Sequence, residues 1–273
     1  MEKNRTRAII FLVIAGVLWS TGGVLIKYID WNPFAIAGMR SGISAIVMMM
    51  YLRQKIVFKP YKIVGGFFYC AMMVLFVVAT KMTTAANAIL LQYTAPIWVA
   101  IFAGWILKEK ISKIDWIAIF GVFGGMALFF MDKLGAGQML GNTLAILAGV
   151  TLAGATITLK LATDAPAVEV PLIGNVMTFL VCLPFVFSVT FTTQNIIAIL
   201  ALGIFQLGIS YILFTSGIKY LSAIEAILIA VIEPLLNPVW VFIFTGEMPG
   251  AMAILGGAIV VGAVTMRQIK TAK

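Results

Sequence analysis

The chain has 273 residues, of which 62% are hydrophobic and only 11% are charged, and its mean hydropathy is +1.10. This composition excludes an ordinary soluble globular domain and predicts an all-α membrane protein that crosses the bilayer several times. The formal net charge of +9 could indicate nucleic-acid binding, but the positions of the basic residues argue against that function.

Apolar segments recur along the chain, and a transmembrane helix needs about 20 such residues. The uncharged stretch 170–218 is too long for one crossing, and the polar residues Thr192 to Asn195 divide it into two. The complete pattern predicts ten transmembrane helices, at 8–28, 33–52, 63–80, 85–107, 114–131, 140–160, 168–189, 195–217, 223–244 and 249–267. The connections between them are short, so we expect the function to reside in the helical bundle.

The basic residues divide unequally between the two sides of the membrane. With ten spans, one side carries only Lys27, Lys81 and Lys133, whereas fifteen other Lys and Arg residues lie on the side of both termini. Cytoplasmic loops hold the excess of basic residues in membrane proteins. The pattern therefore predicts a cell inner-membrane protein with cytoplasmic N- and C-termini, membrane lipid as its surrounding partner, and no nucleic-acid partner.

Residues typical of catalysis and metal binding are scarce. The chain has no histidine, and its two cysteines, Cys70 and Cys182, lie in separate apolar spans. A disulfide or a zinc site is not expected, and neither a nucleophilic triad nor a phosphate-binding loop is evident. The sequence therefore predicts neither an enzyme nor a cofactor.

An internal repeat is visible in the sequence. Residues 81–109 align without gaps on residues 219–247, with Pro96 on Pro234, and Gly16 to Lys27 match Gly149 to Lys160 more weakly at a slightly smaller offset. Repeats of this kind reveal the architecture of a fold. The alternative to a repeat with a role in function is a duplication retained only for helix packing.

The repeat divides the chain into two halves, residues 1–133 and 134–273, with five predicted helices each. Because five is odd, the second half must enter the membrane from the opposite side. Inverted-topology repeats place a substrate site near the bilayer midplane and permit alternating access.

The ten predicted helices, the stretch Asn32-Pro33-Phe34 followed by Arg40, and the paired A-I-L…P…E segments ending at Glu109 and Glu247 resemble the EamA-type transporters of the drug/metabolite transporter superfamily. The resemblance implies a basket-like bundle with the fifth and tenth helices peripheral. It also implies export of amino acids, metabolites or toxic small molecules. The second half carries Ile173 where the first carries Arg40, so no symmetric binding role is implied there.

Glu233 is the main functional candidate. It lies near the middle of the ninth predicted helix, where a carboxylate must face the bundle interior or a water-filled cavity, and Pro234 frees a backbone carbonyl beside it. Three roles are open: exchange of protons as the cavity alternates, attraction of a cationic substrate, or a structural ion pair with Arg40.

Other polar and aromatic residues are candidates for the same cavity. Asn237 either binds substrate or satisfies the carbonyl freed by Pro238, and Gln92 either lines the cavity or bonds a neighbouring helix. Arg40 would be satisfied by a substrate carboxylate or by Glu233. The remaining candidates, each with helix packing as the alternative, are Trp19, Ser20, Tyr69 and Tyr211.

These observations predict a secondary transporter that moves small organic solutes, namely amino acids, metabolites or drugs, by alternating access and in the export direction. A proton is the candidate coupling ion. The alternatives are an importer of organic cations such as quaternary amines, a passive channel, and a membrane receptor that does not transport. The sequence leaves the substrate, the direction of transport, the coupling ion and the oligomeric state open.

Overall fold

A computed structural model describes residues 2–83, 85–129, 131, 139–162, 166–187, 189–245 and 250–271, and these residues form helices without a strand. Helices suit an apolar chain because each satisfies its backbone hydrogen bonds internally. The helices are α1 (Glu2–Trp19), α2 (Gly22–Tyr28), α3 (Pro33–Leu52), α4 (Pro60–Met82), α5 (Ala85–Gln92), α6 (Ala95–Phe102), α7 (Lys113–Phe129), α8 (Met139–Leu161), α9 (Glu169–Val186), α10 (Thr193–Ala201), α11 (Ser210–Ile218), α12 (Ala223–Ile229), α13 (Ile232–Thr245) and α14 (Ala251–Thr271). A π-helical segment extends α6 over Ala103–Leu107, and another joins α10 to α11 over Leu202–Ile209.

Seven helical stretches of the described chain are long and apolar enough to cross a membrane. They are Lys3–Tyr28, Pro33–Leu52, Pro60–Met82, Asn87–Leu107, Met139–Leu161, Glu169–Val186 and Thr193–Ile218. The finding agrees with an all-α membrane protein. The other three predicted spans correspond to α7, to the interrupted pair α12 and α13, and to α14, so the count of ten remains a prediction.

Three of the predicted helices are interrupted rather than continuous. The interruptions lie at residues 20–21, 93–94 and 230–231. In the latter two, Pro96 and Pro234 follow shortly, and proline lacks the N–H that would bond the carbonyl four residues earlier. Glu233 therefore lies in the first turn of α13 and not in the middle of an unbroken helix.

When residues 81–109 are aligned on residues 219–247, the interruptions at 93–94 and 230–231 differ in position by one residue. Each is contacted by a glycine from the other half of the chain. A Cβ on Gly149 of α8 would lie 2.7 Å from the carbonyl oxygen of Gln92, and a Cβ on Gly16 of α1 would overlap the side chain of Ile232. Gly16 and Gly149 are themselves matched in the repeat, so the two halves contact each other reciprocally.

The halves also interleave along their helices. From the first half, α4 packs against α8 and α9, α3 packs against α9, and α1 packs against α11. The helix α7 packs mainly against α14. The buried apolar side chains between these helices include residues from both halves. This interleaving creates a shared interior in which a site could form.

We expect Gly149→Val to destabilise the protein, because an added side chain would meet backbone atoms that cannot move aside. Overpacking of this kind costs about 1–3 kcal/mol. Gly124→Val is the matched control, since Gly124 is exposed on α7 and a Cβ there would meet nothing within 4 Å. Thermal unfolding in detergent should show a lower Tm for Gly149→Val alone. Equal Tm values for both variants would contradict the close contact at the break.

Candidate functional site

A cavity of about 50 Å³ lies between the two halves, beside the interruption between α12 and α13. This volume holds a few water molecules, so an organic solute requires the walls to move apart. The lining is largely aromatic and aliphatic. Its polar side chains include Arg40, Gln92, Tyr93, Thr156, Gln206 and Glu233.

Glu233 is held at the cavity by Tyr93. The Tyr93 hydroxyl lies 2.9 Å from Glu233 Oε2 and 2.9 Å from the carbonyl oxygen of Ala230. This carbonyl would bond residue 234 in a regular helix, but Pro234 has no N–H; the Glu233 N–H donates to it instead, at 3.0 Å. Tyr93 from one helix interruption thus contacts both the carboxylate and the backbone of the other.

Arg40 is 1% exposed, although it carries a guanidinium group inside α3. Its Nη1 donates to Gln206 Oε1 and its Nη2 to Met73 Sδ, both at 3.4 Å, and its Nε has no hydrogen-bond partner within the described residues. These are long contacts to neutral acceptors. A buried guanidinium with only long contacts to neutral acceptors is poorly stabilised, and it still has N–H donors with which to bind an anionic group.

Arg40 and Glu233 do not pair with each other. The ion pairs seen among the described residues include Arg5 with Glu225, Lys62 with Glu169, and Arg267 with Asp115 and Glu225, but none that joins Arg40 to Glu233. The structural ion pair considered for Arg40 and Glu233 is therefore absent in this conformation. The cavity presents a cation and an anion at separate places on its wall.

Aromatic rings form one wall of the cavity. The centroid of the Trp19 ring lies 4.9 Å from that of Tyr211 and 5.1 Å from that of Phe214. Trp19 ends α1 at the first helix interruption, and its buried Nε1 has no hydrogen-bond partner in the described part of the chain. An indole N–H directed to a buried space usually finds an acceptor, so this donor is available to a ligand.

Five of the predicted site residues line this cavity, namely Trp19, Arg40, Gln92, Tyr211 and Glu233. Tyr69 and Ser20 are not among the lining residues that the structure describes. Tyr69 lies behind Tyr211, with ring centroids 4.8 Å apart, and its hydroxyl accepts from Asn175 at 3.2 Å. Ser20 accepts from Trp240 Nε1 at 2.7 Å and so joins α1 to α13. The side chain of Asn237 lies outside the described residues.

Sequence reasoning missed three polar residues of the lining, Tyr93, Thr156 and Gln206. Gln206 is the one ionic or amide side chain in the apolar run 196–217, and the reasoning applied to Gln92 would have identified it. In the structure its amide group lies against Gly22, where a Cβ would be 2.7 Å from Nε2. Tyr93 has no such signal, because its contact with Glu233, 140 positions away in the sequence, appears only in three dimensions.

We expect Tyr93→Phe to lower the free energy of unfolding by about 1–3 kcal/mol, because a partly buried carboxylate loses its side-chain donor. Tyr28→Phe is the control, since Tyr28 is 54% exposed. A double-mutant cycle with Glu233→Leu, which removes the acceptor of the Tyr93 hydroxyl, should give a non-additive result in thermal unfolding. Strictly additive effects of the two substitutions would contradict a functional contact between Tyr93 and Glu233.

Comparison with known proteins identifies the family. The sequence model of the EamA-like transporter family matches residues 6–131 and again residues 139–267. One solved crystal structure superposes with a TM-score of 0.82 at 18% sequence identity, covering 97% of this chain and 98% of the other, and so shares the fold.

Curated relatives agree with the family match. The pseudopaline exporter CntI of Pseudomonas aeruginosa is 24% identical over 93% of each chain. A protein of Clostridium kluyveri named as an uncharacterized transporter is 25% identical over 90% of this chain and 88% of its own. The transporter YxxF of Bacillus subtilis, also named as uncharacterized, is 22% identical over 93% of this chain and 87% of its own. The resemblance found in the sequence is confirmed: the chain belongs to the EamA-like transporter family and is a membrane transporter of small molecules, not an enzyme.

Proposed function

We propose that the chain is a secondary transporter that exports small organic solutes by alternating access. It would consist of ten transmembrane helices in two inverted halves, residues 1–133 and 134–273. The observation that carries the proposal is the cavity between the halves, where Arg40 and Glu233 lie without pairing with each other. Charged groups within a membrane interior are costly and are typical of transport pathways.

The reciprocal contacts at the helix interruptions support alternating access. Gly16 and Gly149 are equivalent in the repeat, and each packs on an interruption in the opposite half. Interrupted helices at the interface of two repeats form the substrate sites of many secondary transporters. Rocking one half against the other would open the narrow cavity to each side of the membrane in turn. The two successive family matches also support two related halves.

The charges in the cavity favour a zwitterionic solute that carries a carboxylate and an ammonium group. Arg40 would bind the carboxylate, helped by Gln206, because guanidinium donors match carboxylate geometry. Glu233 would bind the ammonium group. An amino acid or an amino-acid-derived metabolite meets both requirements. The name of the relative in Pseudomonas aeruginosa, a pseudopaline exporter, supports the export direction.

Glu233 would also couple transport to protons through Tyr93. When Glu233 is charged, the Tyr93 hydroxyl donates to its carboxylate. When Glu233 is protonated, it can donate to the Tyr93 oxygen, and Tyr93 then donates to the Ala230 carbonyl, 2.9 Å away. Each protonation state thus has its own hydrogen-bond arrangement at the interruption between α12 and α13. A proton gradient could bias the two arrangements and so drive export.

Import of an organic cation is a second candidate, favoured by the aromatic wall of Trp19, Tyr211 and Phe214 near Glu233. Aromatic faces attract quaternary ammonium groups. In this case Arg40 would have no ligand partner.

We place both termini in the cytoplasm of a cell with an inner membrane, as the distribution of basic residues indicates.

Uptake into proteoliposomes separates these candidates. The purified protein is assayed with labelled zwitterionic amino acids, a labelled quaternary amine and a labelled dicarboxylate, with and without a pH gradient. We expect saturable, gradient-dependent flux of a zwitterion. Flux of the quaternary amine alone would favour the second candidate, and Arg40→Gln should then leave it unchanged. No flux for any zwitterion would contradict the proposed substrate class.

A further inference from the structure

A groove of about 410 Å³ lies at the end of the bundle that carries the N-terminus. Its walls are the first half of α1, the end of α3 at Tyr51, and the end of α11 with the residues that follow it. No residue of the groove lines the transport cavity.

Two helix faces form the long walls. From α1 the groove takes Asn4, Arg7, Ala8 and Phe11, which lie on one face because side chains three, four and seven positions apart are neighbours. From α11 and its extension it takes Ile212, Leu213, Ser216, Lys219 and Tyr220. The helices approach closely at one edge, since a Cβ on Gly217 would lie 3.0 Å from the Ala8 carbonyl oxygen.

Polarity changes along the depth of the groove. On α1, Asn4 and Arg7 precede Phe11. The C-terminus of α11 approaches the same end of the bundle, and Ser216 and Lys219 follow Ile212 there. Arg7 and Phe11 lie one helical turn apart on α1, and the Arg7 guanidinium lies 5.0 Å from the Phe11 ring centroid, so the basic mouth borders directly on the apolar floor. Both walls thus pass from cationic to apolar in the same direction.

The mouth is electrostatically positive. Arg7 and Lys219 are the charged side chains among the lining residues that the structure describes, and both are exposed. Their recorded contacts are with aromatic rings: Arg7 lies 5.0 Å from the Phe11 ring centroid, and Lys219 lies 5.0 Å from that of Tyr220. Glu225, which contacts α1, is already paired with Arg5 at 2.5 Å and is not in the lining. Both cations therefore remain available to an anion.

We infer that this groove binds an anionic phospholipid, with its phosphate between Arg7 and Lys219 and an acyl chain along Phe11 and Ile212. Asn4 can donate hydrogen bonds to the phosphate oxygens, whereas the Ser216 hydroxyl already donates to the Ile212 carbonyl oxygen at 2.7 Å. Basic pockets between transmembrane helices are suited to such headgroups, and the apolar floor adds a contact that a free phosphate ion cannot make. The lipid would join α1 of the first half to α11 of the second at the membrane surface.

Native mass spectrometry of the purified protein in detergent tests this site. The protein is titrated with phosphatidylglycerol, with phosphatidylcholine, and with inorganic phosphate as a competitor. We expect phosphatidylglycerol to bind in preference to phosphatidylcholine and to withstand excess inorganic phosphate. The double variant Arg7→Gln/Lys219→Gln should weaken phosphatidylglycerol binding about tenfold or more, since each basic residue contributes separately to attraction of an anionic headgroup.

The matched control is Lys55→Gln/Lys110→Gln, which also removes two exposed basic residues but leaves the groove unchanged. Both double variants should elute as folded protein in size-exclusion chromatography. Equal phosphatidylglycerol binding by the two double variants would overturn the proposal. Equal binding of both lipids by the wild type, or displacement of phosphatidylglycerol by inorganic phosphate, would also overturn it. The test is independent of the transported solute.

Discussion

Replacing Glu233 with glutamine is expected to lower transport about ten- to a hundredfold, because a hydrogen bond to a charged group contributes about 1.5–3 kcal/mol and the charge that binds the ammonium group is lost. The fold should survive the change. A glutamine side chain can still accept from Tyr93, and its amide group can donate back, as protonated Glu233 would. Glu233→Gln therefore keeps the hydrogen-bond arrangement of protonated Glu233 at every pH.

The pH dependence of flux should reveal this effect. In the wild type we expect flux to change with pH as Glu233 gains and loses its proton, whereas flux through Glu233→Gln should be low and independent of pH. Asp30→Asn is the control, because it removes an exposed carboxylate outside the cavity lining. Wild-type flux in Glu233→Gln across the whole pH range would remove Glu233 from the mechanism.

Breaking the ion pair between Lys62 and Glu169 is expected to have the largest effect on stability. Lys62 lies in the first turn of α4 in the first half, Glu169 is the first residue of α9 in the second, and both side chains are 0% exposed. Lys62 also donates to the Val57 carbonyl at 2.9 Å. Removing one member of a fully buried pair leaves the other charge uncompensated, at a cost of about 3–5 kcal/mol.

Thermal unfolding of three variants measures this effect. Lys62→Met and Glu169→Gln should each lower Tm strongly, and the double variant Lys62→Met/Glu169→Leu should recover much of the loss, because a well-packed apolar pair avoids the desolvation of both charges. Lys55→Met, at an exposed lysine, controls for the loss of a cation. Single variants no less stable than this control would mean that the pair contributes nothing to stability.

Helix positions were largely predictable, because the thickness of the bilayer sets the length of each apolar segment that crosses it. The predicted helix at 33–52 coincides with Pro33–Leu52. Lys62 shows the limit of this reasoning, since it lies outside the predicted helix 63–80 but is buried in the first turn of α4. Its burial depends on Glu169, which lies 107 residues away in the sequence.

The cavity was predictable only in part. Arg40, Gln92 and Glu233 stood out because charged and amide side chains are rare in apolar spans. The contact between Tyr93 and Glu233 joins residues 140 positions apart, and no local pattern reveals such a pair. The interruptions were indicated by Pro96 and Pro234, but sequence alone does not distinguish a kinked helix from a broken one. The break brings Glu233 to the start of α13, and the fold then places Tyr93 beside it.

Counterflow in proteoliposomes tests the central claim most directly, namely that this cavity carries solute between the two sides by alternating access. Vesicles preloaded with an unlabelled zwitterionic solute that the protein transports are diluted into a trace of the labelled solute. A carrier should give transient accumulation of label above the outside concentration, and Glu233→Gln should reduce its initial rate. Label that only equilibrates, without accumulation or saturation, would show a channel and would contradict the account.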